Sequence, residues 1–156
     1  MTPNAHLTEL PLAAAIETRG DGPSALSTAG LGVPSAANSM WQAGECRVLW
    51  LGRDCWLVQA PLERETALRD ALERAGQAVT LSDSLLRFAL TGAGAADVLA
   101  QGCAIDFDRF GPQACTRAAL GRIAVALLRT EEGFEILVDR AYRGYFLSWM
   151  ARAIGA

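Results

Sequence analysis

The sequence predicts an α+β fold, a mainly antiparallel sheet with helices packed on one face, and three observations predict it. First, Phe134, Ile136 and Val138 alternate as one face of a strand, and Tyr142, Tyr145, Phe146, Trp149, Met150 and Ala153 then recur at helical spacing. A strand therefore runs straight into a helix. Second, Val48-Leu49-Trp50-Leu51 and Trp56-Leu57-Val58 flank Gly52-Arg53-Asp54, the pattern of a hairpin with glycine supplying a positive φ. Third, the elements from Cys46 onward read strand, strand, helix, strand, strand, helix, strand, strand, strand, helix, an order that places helices against antiparallel sheet.

Each element follows from local pattern. Residues 1–44 are rich in Gly, Ala, Ser and Pro, with Gly20-Asp21-Gly22-Pro23 and Leu31-Gly32-Val33-Pro34 as turn signals. They read as an arm with little core of its own, suited to docking on a partner. Residues 45–156 read as a single α+β domain. Within it, hairpin pairing sets Cys55 opposite Leu51 and Cys46 near Ala60.

Pro61 opens a helix with Glu63 and Glu65 in its first turn, Leu68, Ala71, Leu72 and Ala75 on one face, and Gly76 past its end. Val79 to Ser82 reads as a short strand, and Leu86, Phe88 and Leu90 as an alternating one ending at Thr91-Gly92. A short helix spans about Ala95 to Gln101. A strand follows near Cys115 to Ala119, and the wholly apolar Ile123 to Leu128 reads as a central strand.

Bulk properties exclude several function classes. A chain of 156 residues is about one domain, able to bury roughly 70% of its unfolded surface. The formal charge of −3 comes without runs of one sign, and the arginines are scattered singly, which argues against a nucleic-acid partner. Lysine is absent, so Schiff-base chemistry and a P-loop lysine are excluded. The longest clean apolar run, Ile123 to Leu128, is far below the ~20 residues that cross a bilayer. Leu10 to Ile16 lacks a preceding basic residue and so does not read as a signal peptide. No membrane association and a cytoplasmic location are expected. His6 is the sole histidine, and Cys46, Cys55, Cys103 and Cys115 show no C-x-x-C spacing, so no metal site is expected. Four reduced thiols fit a cytosolic chain, with a Cys103 to Cys115 bridge as the alternative.

Four features could carry chemistry, and each has a structural reading beside it. Gly92-Ala93-Gly94-Ala95-Ala96-Asp97 follows a strand and opens a helix, as a dinucleotide fingerprint does, but Asp97 stands where the third glycine belongs. Tight turn geometry explains the glycines better. Asp106 and Asp108 lie two apart, as paired acids would, yet no third ligand is near and a solvated loop is expected. Ser82-Asp83-Ser84 lacks a histidine partner and reads as a turn or cap. Trp50 and Trp149 fall in phase with apolar neighbours and read as core, whereas Trp41 and Trp56 are the better interface candidates. No catalytic, cofactor-binding or metal-binding residue is assigned.

The segments Leu51-Gly52-Arg53-Asp54-Cys55-Trp56, Gly94 to Leu99, Gln101-Gly102-Cys103, Ile105-Asp106, Gly121 to Leu128 and Gly133 to Trp149 together resemble the gamma subunit of bacterial heterotetrameric sarcosine oxidase. The resemblance spans about residues 46–150. Arg53 replaces a proline of the family pattern, Cys55 a glutamate and Gln101 a lysine, departures that point to a paralogue serving another N-methyl amine oxidase. The resemblance implies part of the folate-binding fold of the glycine-cleavage aminomethyltransferase. It implies a complex that demethylates sarcosine oxidatively to glycine, passes the one-carbon unit to tetrahydrofolate and forms hydrogen peroxide. The partners implied are alpha, beta and delta subunits, which would carry FAD, FMN, NAD, tetrahydrofolate and zinc. This chain would be non-catalytic and act in assembly and stability. The alternative is an independent folate-binding one-carbon protein of the same fold.

Overall fold

The computed structural model describes residues 2–155 and has the expected α+β architecture, built from two five-stranded antiparallel sheets. In chain order the elements are β1 (His6–Leu10), β2 (Ala14–Arg19), α1 (Gly22–Thr28), β3 (Met40–Ala43), β4 (Cys46–Gly52), β5 (Cys55–Ala60), α2 (Glu65–Ala75), β6 (Gln77–Thr80), β7 (Leu85–Thr91), α3 (Ala95–Ala100), β8 (Cys115–Leu120), β9 (Ile123–Thr130), β10 (Gly133–Asp139) and α4 (Arg143–Ile154). Two compact units divide them: the stretch up to Pro11 joins the stretch from Ser84 onward, and Leu12–Asp83 forms the other.

This division differs from an arm over 1–44 and one domain over 45–156. The supposed arm contributes β1 to the first sheet and β2 and β3 to the second. Ala14, Ala15 and Ile16 of β2 are buried, so small side chains supply core that large apolar residues were expected to supply. Helix α1 is set by Asp21, whose Oδ1 accepts from the Ser24 N–H at 3.2 Å, with proline in its first turn.

In the first unit the strand order is β1-β7-β10-β9-β8. β9, whose Ile123 to Leu128 stretch is wholly apolar, therefore lies beside the centre, and β10 holds the central place. Phe134, Ile136 and Val138 join Phe88, Leu90 and Leu127 in one core, against which α3 sets Val98 and Leu99 and α4 sets Phe146 and Met150. The irregular stretch between α3 and β8 is tied down by aromatics. Phe107 meets the Phe134 ring edge-on at 5.4 Å, and Arg129 lies over the same ring at 4.8 Å.

In the second unit the order is β3-β4-β5-β2-β6. Val48, Val58, Ile16, Leu26, Leu68 and Leu72 make its core, with α1 and α2 supplying the last three. The β4–β5 register sets Gly52, not Leu51, opposite Cys55, because the pairing shifts between Trp50 and Gly52. The positive φ of this turn falls on Asp54, at 56°, and not on Gly52. Pro61 precedes a single 3-10 turn, Leu62–Arg64, before α2 begins. The short strand expected at Val79 to Ser82 lies at Gln77–Thr80, on the sheet edge.

Candidate functional site

The turn Gly92-Ala93-Gly94 is the feature closest to a phosphate cradle, and the chain itself fills it. The Gly94 N–H donates to the Asn4 carbonyl at 2.8 Å, and a Cβ on Gly94 would meet the Asn4 backbone N at 2.7 Å. The glycines exist to admit the segment that leads into β1, with Gly92 at a φ of 104°. Helix α3 has only six residues, and its backbone entrance faces a peptide rather than open space. Nothing here fits a pyrophosphate.

The paired acids form a local turn. Asp106 Oδ1 accepts from the Asp108 N–H at 3.1 Å, and Asp106 Oδ2 lies 3.4 Å from Arg109 Nε. Ser82 is buried, and its Oγ accepts from the Ala15 N–H at 3.0 Å, which fastens the segment after β6 to β2. Its oxygen is an acceptor in the framework, not a nucleophile. Cys46, Cys55, Cys103 and Cys115 are buried thiols outside any disulfide, so the Cys103 to Cys115 bridge does not form. Among the described residues, no three His, Cys, Asp or Glu side chains gather in a way that would hold a metal ion. No helix is long and apolar enough to cross a membrane.

Two charged pairs stand out. Arg87 Nε donates to Glu135 Oε1 at 2.7 Å, and Arg87 Nη1 donates to the Pro11 carbonyl at 3.1 Å. Glu135 is only 2% exposed, and the Arg87 guanidinium offsets part of the cost of burying its carboxylate. At the surface, Arg143 Nη2 donates to Glu9 Oε2 at 2.6 Å. This hydrogen bond from Arg143 holds the Glu9 carboxyl below the usual range and raises the Arg143 guanidinium, partly offset for each by burial.

The motif Gln101-Gly102-Cys103 also has a packing explanation. Gly102 lies against the Trp149 indole, and its carbonyl accepts from the Gly121 N–H at 2.9 Å. Gln101 Nε2 donates to the Ala153 carbonyl at 2.9 Å, binding the end of α3 to α4. On α4 the buried side is narrower than periodicity suggested. Phe146, Met150 and Ala153 are buried, whereas Tyr145 is 37% exposed, and Tyr142, which ends the 3-10 turn before the helix, is 48% exposed. Tyr145 Oη accepts from the Arg122 N–H at 3.2 Å, so Tyr145 and Trp149 cover the glycine contact while their outer edges face solvent.

The tryptophans divide differently from expectation. Trp56 is buried in the second unit's core, stacked on Trp50 at 5.8 Å, and its ring lies where a side chain on Gly22 would be. Trp41 is half-buried against Gly32. The sequence reading offered Trp56 as an interface candidate, yet Gly22 at the start of α1 and the stacked Trp50 ring cover it. The surface residues the sequence reading missed are Tyr142, Tyr145, Leu62 and Val79, all exposed.

No protein-family model and no curated protein matches the chain. Among solved structures, a chain of the heterotetrameric sarcosine oxidase from Corynebacterium sp. U-96, in complex with pyrrole 2-carboxylate, is similar to it with a TM-score of 0.85 and 27% identity. That match covers 97% of this chain and 84% of the other. Aminomethyltransferase T of the glycine cleavage system from Bartonella henselae shares the fold, with a TM-score of 0.69 and 17% identity. There the match covers 96% of this chain but 46% of the larger one, so this chain spans about half of that protein.

Proposed function

We propose that this chain, whose fold is that of a chain of heterotetrameric sarcosine oxidase, is the non-catalytic gamma subunit of such a complex. The observation that carries this reading is the likeness over 97% of the chain at a TM-score of 0.85. The motif segments explain themselves as packing: Gly102 and Gly121 under Trp149, and Gly94 against Asn4, are contacts that preserve a shape. A subunit kept for assembly needs shape and surface rather than reactive side chains.

In this reading FAD, FMN, NAD, tetrahydrofolate and zinc reside on the alpha, beta and delta subunits. The complex oxidises sarcosine or a related N-methyl amine and hands the one-carbon unit to tetrahydrofolate. The exposed Tyr142, Tyr145 of α4 and the apolar Leu62 and Val79 are surfaces on which larger subunits would dock.

The test is a tagged pull-down from native cells with absorbance and mass spectrometry of the recovered proteins. Co-purification of larger, yellow, flavin-bearing subunits that turn over sarcosine is expected. Recovery of the chain alone, with measurable tetrahydrofolate affinity, would overturn the subunit reading in favour of an independent folate binder.

A further inference from the structure

Thr18 and Trp56 stand directly opposite each other on β2 and β5. Such a pair projects to the same face with Cβ atoms about 5 Å apart. Thr18 is 0% and Trp56 4% exposed, and both carry a buried polar atom, Thr18 Oγ1 and Trp56 Nε1, without a hydrogen-bond partner in the protein. Neither atom is bonded to the other. Two orphaned groups on one cross-strand pair are unusual, since buried polar atoms are nearly always satisfied by protein or by ordered water.

In their own row, the Trp50 Nε1–H is already given to the Gly52 carbonyl at 3.1 Å. The row across the sheet runs Trp50, Trp56, Thr18 and Ala78. Trp50 stacks on Trp56, and Gly22 lies on the six-membered part of the Trp56 ring. An indole N–H only donates, whereas a hydroxyl both donates and accepts. A water molecule is the smallest group that accepts from the first and exchanges a hydrogen bond with the second.

We propose that Thr18 Oγ1 and Trp56 Nε1–H together hold one ordered water molecule inside the second unit, bridging β2 to β5. The bridge would fix the indole and, through its ring, the position of Gly22 at the start of α1. It concerns the unit's internal framework and is independent of which complex the chain serves.

The experiment uses the full chain, isotopically labelled, with the indole Nε1 proton of Trp56 assigned by its loss in Trp56→Phe. Magnetisation transfer from long-lived water to that proton is expected in the wild type and lost in Thr18→Val. Thr18→Val should also lower the melting temperature by a few degrees, and Thr18→Ser should restore most of it. A rise in melting temperature for Thr18→Val would overturn the proposal, because removing a true orphan stabilises. A fall without any water signal in the wild type would overturn it too, and would indicate a direct bond between the two side chains. Should Thr18→Val fail to fold, the water signal in the wild type decides alone.

Discussion

The indole of Trp149 lies where a side chain on Gly102 would be, and the Gly121 backbone N is 3.0 Å from the same point. Two backbones and one ring thus meet with no space for a methyl group. Gly102→Ala should destabilise the chain by about 1–3 kcal/mol through overpacking. Urea unfolding checks it, and adding Trp149→Leu should recover part of the loss, since contacting residues are not additive.

Glu135 is a buried carboxylate answered by Arg87 at 2.7 Å. Arg87→Met removes the guanidinium partner of this buried carboxylate and should be clearly destabilising, at up to about 3–5 kcal/mol. Glu135→Gln, which removes the charge and keeps a hydrogen-bonding amide, should cost less. Equilibrium unfolding of both variants at neutral pH gives the comparison.

Ser82 Oγ accepts from the Ala15 amide at 3.0 Å in a buried setting. Ser82→Ala should leave that amide orphaned and cost about 1–3 kcal/mol. Hydrogen exchange should show the Ala15 amide losing protection ahead of the β2 centre.

Glu9 is held below its usual range by the hydrogen bond from Arg143. A carboxyl lowered in the folded state contributes stability above its unfolded pKa and loses it as pH falls through the folded value. Glu9→Gln should therefore lower the melting temperature slightly at neutral pH. The difference should shrink and vanish as the pH falls below the ordinary glutamate range. Because the pair is exposed, added salt should shrink it as well.

The fold was most legible where large apolar residues alternate. Phe88 to Leu90, Phe134 to Val138 and the stripe on α2 all lie on the faces their spacing assigned. Strand β2 escaped because Ala14 and Ala15 are poor strand formers whose burial comes from tertiary packing. Helix α1 escaped because Gly20-Asp21-Gly22-Pro23 reads equally as a turn, although Asp21 also forms a cap and Pro23 falls in the first helical turn. Periodicity placed Tyr142 and Tyr145 on the buried stripe but does not say how wide that stripe is. The interface assignment of Trp56 failed because the start of α1 packs Gly22 onto its ring, a contact that no local pattern shows. The glycine motifs were legible as tight turns, while their partners, Asn4 and Trp149, are set by long-range approach.

Strand β1 pairs with β7 from His6 opposite Thr91 to Leu10 opposite Arg87. During synthesis β1 leaves the ribosome first, and the strand it needs follows only after all of Leu12–Asp83 has been made. The intervening unit has every one of its strands available by then, so it can settle while β1 waits unpaired. The first unit closes through a non-local pairing, the kind that costs most in loop closure and leaves strand edges exposed longest in general.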